Sequence, residues 1–280
     1  MEVHGFTRQN IQELQPRLPV PACLHPIDGR TESIVEAFLA VRPDAVFHLA
    51  ALARREHRGD DILPFIEANV TFGSQLLEGT RVSGCPCFVT CGSYLQFSET
   101  GAHRSLNLYA ATKHAFSSIL DYYVDAFGIA AADLILCNIY GEADRRPQLI
   151  TDMATAFAED KVLRLHGSEA WVDLVHVEDV AAAFLQVIAL LAEQGARGRL
   201  QRFSVTSGNN VSGSELLALF ERISARKVRI ERAVAPASSR RSKPWRGPTV
   251  PGWTPRVCVE AGIDRLLRSR NERPAAEVPD

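Results

Sequence analysis

The chain has 280 residues, of which 46% are hydrophobic and 23% are charged, and its formal net charge at pH 7 is −2. This composition is typical of a folded globular protein and argues against global disorder. The balanced charge gives no support for a protein that binds a nucleic-acid backbone, because such proteins usually carry a basic face or stripe.

The cysteines and the apolar segments favour a cytoplasmic protein. The six cysteines include no CxxC pair, so their spacing predicts neither a zinc site nor a thioredoxin-like motif. Reduced, buried thiols are the simpler interpretation. Residues 1–10 lack the pattern of a secretory signal, and the apolar stretch at 180–192 is too short to span a bilayer. We therefore expect no metal, no membrane contact and no nucleic-acid partner.

Strand-like and helix-like segments alternate along the first two thirds of the chain. Short apolar runs predict strands, and apolar residues at helical spacing predict helices. The predicted strands are residues 2–6, 44–51, 87–93 and 132–141, and the predicted helices are 31–41, 62–82 and 109–128. We expect Gly128 to cap the last of these helices. Strand–helix repeats of this length predict parallel βαβ units with both faces of the sheet covered.

The rest of the chain is less regular. Helices are predicted over 150–161, 178–195 and 212–225, and strands over 172–177 and 227–233. Ser212 and Glu215 have the spacing of a capping box. Residues 236–253 are rich in Pro, Ser and Arg and predict a loop, and residues 271–280 predict a disordered tail.

The strongest chemical signal is the pair Tyr109 and Lys113 on one predicted helix. Side chains four residues apart lie on one helical face. A lysine ammonium beside a phenol favours the phenolate, so the tyrosine can exchange a proton near neutral pH. A chance pair on an amphipathic helix is the alternative. Ser93 ends a predicted strand, where its hydroxyl can bind a substrate oxygen or can simply cap a turn.

Six segments in this order resemble the extended short-chain dehydrogenases/reductases, and among these the NAD(P)-dependent epimerase/dehydratase family acting on nucleotide sugars. The segments are DAVFHLAA (44–51), NVTFGSQLLE (69–78), FVTCGS (88–93), YAATK (109–113), LCNIYGEADRR (136–146) and VDLVHVEDVAAA (172–183). The closing residues 252–268 resemble the start of that family's C-terminal helix. The resemblance implies an α/β fold, with a Rossmann-like doubly wound parallel sheet and a smaller C-terminal substrate domain.

The resemblance also implies a division of the chain. Residues 1–145 would form an N-terminally truncated dinucleotide-binding domain, to which residues 172–208 return. Residues 146–171 and 209–270 would form the substrate-binding part. A homodimer would form through the helices at 62–82 and 109–128.

Catalytic roles follow from the resemblance alone. It implies that Tyr109 is the acid/base, that Lys113 lowers the tyrosine pKa and binds the nicotinamide ribose, and that Ser93 orients the reacting C–O group. Ser93 is followed by Tyr94 and Leu95 rather than by the Asp-Glu pair usual in dehydratases. Reduction or epimerisation is therefore favoured over dehydration.

Binding roles are implied at further positions. Leu49, Ala50 and Ala51 match the segment along the cofactor, Asp28 matches the acidic residue near the adenine, and Asn69 matches the asparagine beside the active site. Asn138 matches a residue that contacts the substrate diphosphate.

Arg8 bears on the choice of cofactor. It follows the first predicted strand, where NAD-preferring relatives carry an acidic residue. A guanidinium there suits the 2′-phosphate of NADP, so NADP is favoured over NAD. A surface arginine is the alternative interpretation.

The sequence departs from the family at the glycine-rich turn that holds the cofactor pyrophosphate. No two of the eighteen glycines are separated by a single residue, so the chain contains no GxG. The strand that carries this turn would be central, and its absence would leave unpaired strand edges and an exposed apolar face. Three interpretations stay open: a fragment of an ordinary enzyme, a short form with weakened cofactor binding, or completion by a partner or a second copy.

A second departure lies at Val172, where many relatives carry an arginine that reaches the substrate phosphate. Trp171 beside it can stack on a base or sugar, or can be a core aromatic. Arg145, Arg146 or Arg246 can replace the missing charge, and their spacing does not select among them.

These observations predict an NADP-dependent reductase or epimerase of a nucleotide-activated, 4-keto-6-deoxy sugar. The alternative is a non-catalytic binding or regulatory protein with a degenerate dinucleotide site. The absent glycine-rich turn favours that alternative. The retained Ser93, Tyr109 and Lys113 argue against it, because a scaffold needs none of them.

Overall fold

A computed structural model describes residues 2–54, 56–166, 171–194, 198–233 and 246–272. Its strands are β1 His4–Thr7, β2 Cys23–Pro26, β3 Ala45–His48, β4 Cys87–Ser93, β5 Ala130–Leu136, β6 Asn138–Tyr140, β7 Leu163–His166, β8 Trp171–His176, β9 Leu200–Val205, β10 Asn210–Ser212 and β11 Ile230–Ala233. Its α-helices are α1 Ile11–Leu14, α2 Thr31–Val41, α3 Ile62–Ile66, α4 Phe72–Ser83, α5 Leu108–Phe127, α6 Leu149–Glu159, α7 Val177–Gln194, α8 Gly213–Ser224 and α9 Val259–Asn271. None of these helices combines the length and the apolar character needed to cross a membrane.

The chain divides into two compact units. Unit 1 comprises Met1–Gly92, Asn107–Asp133 and Val187–Arg202, and unit 2 comprises Ser93–Leu106, Leu134–Gln186 and Phe203–Asp280. Each unit has its own apolar core. That of unit 1 centres on Ile34, Leu77, Phe88, Phe116 and Leu120. That of unit 2 centres on Tyr140, Met153, Phe157, Phe220 and Leu266.

The strands near the start of the chain form two separate sheets. β1 pairs in parallel with β2 alone, whereas β3, β4, β5 and β9 form a four-stranded sheet in that order. β3 and β4 are parallel. In the described residues no ladder joins β1 to β3, so each is an edge strand, and Phe47 on β3 is 40% exposed. The unpaired edges expected for a sheet without the glycine-turn strand are therefore present.

The strands of unit 2 include both orientations. β8 lies between β10, which is antiparallel to it, and β6, which is parallel to it. β7 and β11 form a parallel pair. Together with the parallel strands above and the intervening helices, this is the α/β fold that the sequence predicts.

Local signals explain where the best-predicted helices begin and end. The side chain of Asn107 accepts a hydrogen bond from the Ala110 N–H at the start of α5. Gly128 ends the helix with φ of 69°, in the left-handed region that favours glycine. Ser212 and Glu215 form the predicted capping box of α8. The predictions for Gly128 and for the Ser212–Glu215 capping box are confirmed, and the Asn107 cap is an addition from the structure.

Other boundaries differ from the sequence prediction. The strand predicted over 132–141 is two strands: β5 lies between β4 and β9, whereas β6 pairs with β8. The helix predicted over 62–82 contains a π-helical segment at Glu67–Thr71. β3 ends at His48, so the strand predicted over 44–51 was too long. Residues 236–245 of the predicted loop and 273–280 of the predicted tail lie outside the described residues.

Candidate active site

Lys113 is the best-defined candidate functional group of unit 1. Only 2% of this residue is exposed, and its ammonium donates a 3.0 Å hydrogen bond to the main-chain carbonyl of Cys91 in β4. An ammonium has three N–H donors. Within the described residues no carboxylate forms a salt bridge with it. A buried cation without a bonded counter-ion is unfavourable for stability, and such groups cluster at functional sites.

Tyr109 lies in the first turn of α5, four residues before Lys113, so both are on the helix that the sequence predicts. It is partly buried. Its main-chain carbonyl accepts a 2.8 Å hydrogen bond from the Thr112 hydroxyl. The Asn107 cap fixes where the helix starts and therefore the turn that carries Tyr109.

Asn69 joins three segments of unit 1 and is fully buried within the π-helical segment. Its Oδ1 accepts a 2.8 Å hydrogen bond from the Leu52 N–H, and its Nδ2 donates to the Leu52 carbonyl at 2.9 Å. The second Nδ2 hydrogen goes to Thr112 Oγ1, also at 2.9 Å. Asn69 thus ties the loop after β3 to the turn of α5 between Tyr109 and Lys113. π-Helical turns inside α-helices are frequent at functional sites.

His48 is a buried group that the sequence analysis did not single out. It is 1% exposed, and neither ring nitrogen has a hydrogen-bond partner in the described residues. Phe72 and Phe116 pack edge-on against the ring at centroid distances of 5.8 and 5.2 Å. Burial, and to a lesser extent the charge of Lys113, lower the pKa of His48 to about 3. The imidazole is therefore neutral at physiological pH.

The segment after β3 is open to solvent. Leu49 is 59% exposed, and Ala50 and Ala51 are exposed as well. These three residues follow the carboxyl end of a parallel strand, which is where open α/β sheets bind ligands. An exposed leucine at this position suits a segment along which a ligand lies.

Arg8 and Asp28 follow β1 and β2, and both are exposed. The Asp28 carboxylate accepts hydrogen bonds from the Arg30 N–H at 3.0 Å, the Arg30 Nε at 2.6 Å and the Ser33 hydroxyl at 2.7 Å. These bonds, the first of them above all, hold the pKa of Asp28 well below its ordinary value. Asp28 thus organises the turn before α2, and its contact with an adenine stays a prediction.

Ser93 belongs to unit 2 and ends β4. It is 7% exposed. Its hydroxyl accepts a 3.3 Å hydrogen bond from the Leu95 N–H, and its own N–H donates to Gln96 Oε1 at 2.6 Å. Ser93 therefore caps the turn that follows β4, which is one of the two roles considered from the sequence. Because a hydroxyl can donate as well as accept, the Ser93 hydroxyl keeps a hydrogen that it can donate to a substrate oxygen.

The predicted substrate-binding residues of unit 2 differ in their surroundings. The side-chain oxygen of Asn138 is buried without a hydrogen-bond partner in the described residues. Arg145 is exposed, and its Nη1 donates to the carbonyls of Glu142 and Asp144 at 2.9 and 3.2 Å. Trp171, at the start of β8, is 41% exposed. A wholly core role for Trp171 is therefore excluded.

Asp173 and Arg246 form a polar centre in unit 2. Asp173 is fully buried and accepts hydrogen bonds from the Thr206 hydroxyl and, at 2.7 and 2.8 Å, from the N–H and hydroxyl of Ser207. The Arg246 Nη2 lies 3.7 Å from the Asp173 carboxylate, and the arginine side chain is 41% exposed. Of the three arginines considered from the sequence, Arg246 is therefore the one that lies beside Asp173, the residue after Val172.

Comparison with known proteins gives consistent results. The family described as "NAD dependent epimerase/dehydratase family" matches residues 1–200. Over 159 residues the chain is 28% identical to the CDP-abequose synthase of Yersinia pseudotuberculosis. That match covers 56% of this chain and 56% of the relative, so the chain spans about half the length of that curated relative. Over 273 residues it is 25% identical to the UDP-glucose 4-epimerase of Corynebacterium glutamicum, covering 85% of this chain and 80% of the relative.

The fold is similar to that of solved structures. One is the UDP-glucuronic acid 4-epimerase of Bacillus cereus in complex with UDP-glucuronic acid and NAD. The two chains superpose with a TM-score of 0.81 at 18% sequence identity, over 96% of this chain and 90% of that one. An identity this low supports the shared fold and nothing finer.

Proposed function

The chain belongs to the NAD dependent epimerase/dehydratase family, and from that premise we propose that it reduces or epimerises a nucleotide-activated sugar with a nicotinamide dinucleotide. The observation that carries this proposal is Lys113, an ammonium that is 2% exposed and bonded to a main-chain carbonyl rather than to a carboxylate. Structural stability alone does not favour such a group. Tyr109 lies one helical turn away, and Lys113 would assist its proton transfer.

Each residue of the proposed catalytic set has a separate task. Tyr109 would give a proton to the substrate oxygen during reduction, or take one during oxidation. The Lys113 ammonium would favour the phenolate form of Tyr109. The Ser93 hydroxyl would hydrogen-bond the reacting C–O group and fix its orientation. When bound, the dinucleotide supplies the hydride donor or acceptor.

The residues of unit 1 fit the nicotinamide-ribose end of such a cofactor. Lys113 has one N–H donor beyond the two given to Cys91, and the exposed segment Leu49, Ala50 and Ala51 follows β3. Arg8 at the end of β1 supports NADP over NAD, because a guanidinium suits a phosphate. The sequence contains no GxG for the pyrophosphate. We therefore assign to this chain only the contacts of the ribose, nicotinamide and adenosine ends.

We assign the substrate diphosphate to Arg246. Its guanidinium is partly exposed, and Asp173 holds it from one side. The unpartnered Asn138 oxygen and the exposed indole of Trp171 support a nucleotide-sugar ligand in the same unit. Arg145, engaged with main-chain carbonyls, is the second choice. We propose reduction or epimerisation of a 4-keto-6-deoxy sugar rather than dehydration, because Ser93 is not followed by the acidic pair of dehydratases.

We retain the domain assignment as part of the proposal, with dinucleotide binding in residues 1–145 and 172–208 and substrate binding in 146–171 and 209–270. A homodimer through α3–α4 and α5 is supported by exposed apolar side chains on these helices. They are Ile62, Leu63, Ile66, Tyr122 and Phe127.

A second candidate function is a binding or regulatory protein that has lost cofactor binding. The separate β1–β2 and β3–β4–β5–β9 sheets favour it, because the family's glycine-turn strand would lie between them. Calorimetry with NADPH and NADH distinguishes the two candidates. Micromolar binding of NADPH, weaker binding of NADH, and about tenfold loss of this preference in Arg8→Ala would support the enzyme. A folded chain that binds neither nucleotide would support the alternative.

A further inference from the structure

The β1–β2 pair carries a cluster of metal-ligating side chains. His4 and Cys23 are partners in the register of the two parallel strands, and His25 lies two residues after Cys23. Side chains two residues apart on a strand point to the same face. His4, Cys23 and His25 therefore share one face of the two-stranded sheet.

The three side chains are close enough to share one ion. His4 Nδ1 and His25 Nε2 are 3.0 Å apart, and a thiol sulfur and two imidazole nitrogens all lie within 4.8 Å of one another. Nitrogen ligands at the usual zinc distance are separated by roughly 3.3 Å in a tetrahedral site. Small side-chain rotations thus suffice to place all three donors around a cation.

A carboxylate beside the cluster suits His4 for ligation. His4 Nε2 lies 3.4 Å from the Glu2 carboxylate. A carboxylate on one ring nitrogen keeps the proton there and leaves the other nitrogen free to ligate, as around many metal-bound histidines. His4 and Cys23 are exposed, so an ion has access from solvent.

We propose that His4, Cys23 and His25 bind a divalent transition-metal ion, with Zn²⁺ the best match to two imidazoles and one thiolate. Glu2 acts as a positioning residue for His4, and water completes the coordination. The CxxC spacings considered in the sequence could not reveal this site, because its ligands come from two strands. The ion would link β1 to β2 and stabilise a two-stranded sheet, which is marginal by itself.

The experiment uses the untagged full chain, because an affinity tag would itself bind metal, and Co²⁺ as the spectroscopic probe. We expect one Co²⁺ per chain, tetrahedral d–d absorption and a thiolate-to-cobalt charge-transfer band that Zn²⁺ abolishes by displacement. Cys23→Ser should remove the charge-transfer band. His25→Asn should weaken binding by about tenfold or more, and Glu2→Gln by about tenfold.

Cys258→Ser is the matched control, because Cys258 is also exposed but lies at the start of α9. It should leave the band and the stoichiometry unchanged. Circular dichroism of each variant verifies that the fold is retained. A wild-type chain without the charge-transfer band, or a band that persists in Cys23→Ser, would overturn the proposal. None of these readouts depends on NADPH binding or on catalysis, so the metal site and the proposed function succeed or fail separately.

Discussion

The ammonium of Lys113 donates a 3.0 Å hydrogen bond to the main-chain carbonyl of Cys91, which joins α5 to β4 two residues before Ser93. This carbonyl and, at 3.9 Å, the Cys91 sulfur take two of the three ammonium donors, so one donor is left for a ligand. Burial of this cation opposes folding. The structure therefore predicts that removing the charge affects binding and stability in opposite directions.

Lys113→Met tests this relationship, because methionine keeps an unbranched side chain and removes the charge. We expect NADPH affinity to fall about tenfold or more, equivalent to about 1.4 kcal/mol, while the free energy of unfolding stays constant or rises. Calorimetry and urea unfolding measure the two quantities. A variant that binds NADPH as tightly as the wild type would show that Lys113 has no role in the site.

From the hydrogen bonds of Asn69 we predict that its replacement by alanine lowers stability and local order. Asn69→Ala removes hydrogen bonds to Leu52 N–H, Leu52 carbonyl and Thr112 Oγ1. At about 1 kcal/mol for each bond, the free energy of unfolding should fall by about 3 kcal/mol. Thr112→Val removes only the last of the three Asn69 bonds. A double-mutant cycle should therefore give a coupling of about 1 kcal/mol between Asn69 and Thr112, and additive effects would contradict the geometry.

We predict that the substrate diphosphate binds at Arg246. Arg246→Ala should weaken binding of UDP, CDP or dTDP, whichever the wild type prefers, by about tenfold or more. The fold should persist, because Asp173 keeps its bonds from Thr206 and Ser207. Arg145→Ala is the comparison, and its effect should be smaller. The opposite order of effects, measured by calorimetry, would assign the phosphate to Arg145.

Close packing around Gly262 on α9 leaves no room for a larger residue in unit 2. A Cβ at this position would overlap the Tyr140 hydroxyl, which is buried without a hydrogen-bond partner in the described residues. Gly262→Ala should lower the free energy of unfolding by about 1–3 kcal/mol. Tyr140→Phe removes the nearest clashing atom, so the double variant should recover part of the loss. Gly59→Ala is the control, since its Cβ would have no neighbour within 4 Å.

The elements best predicted from the sequence are those whose ends are determined locally. α2 and β4 have the predicted bounds, and α5 differs by one residue at each end, because capping groups and periodic apolar residues act over a few positions. β2, β7 and β10 are strands of three or four residues that form by pairing with distant segments. Their own residues carry too little pattern to predict them.

The candidate site likewise contains residues that local sequence brings together and residues that only long-range packing brings together. Tyr109 and Lys113 were predictable because one helix carries both. The three contacts of Asn69, the approach of Arg246 to Asp173 and the meeting of His4 with His25 all depend on long-range packing. In each case the residue types were visible in the sequence, but spacing along the chain does not determine which of them come together.

We predict that His48 makes the free energy of unfolding depend on pH. Its pKa in the folded chain is about 3, against about 6.5 in an unfolded chain. Below pH 6.5 the unfolded chain therefore binds a proton that the folded chain does not, so this group opposes folding increasingly as the pH falls towards 3. From pH 7.5 to 5.5 the free energy of unfolding should drop by about 1.4 kcal/mol on account of His48. His48→Leu should abolish this part of the slope and should cost little at pH 7.5, because neither ring nitrogen loses a hydrogen bond. Urea unfolding of both proteins at the two pH values measures the difference. An unchanged slope in the variant would mean that His48 is protonated in the folded chain and finds a partner there.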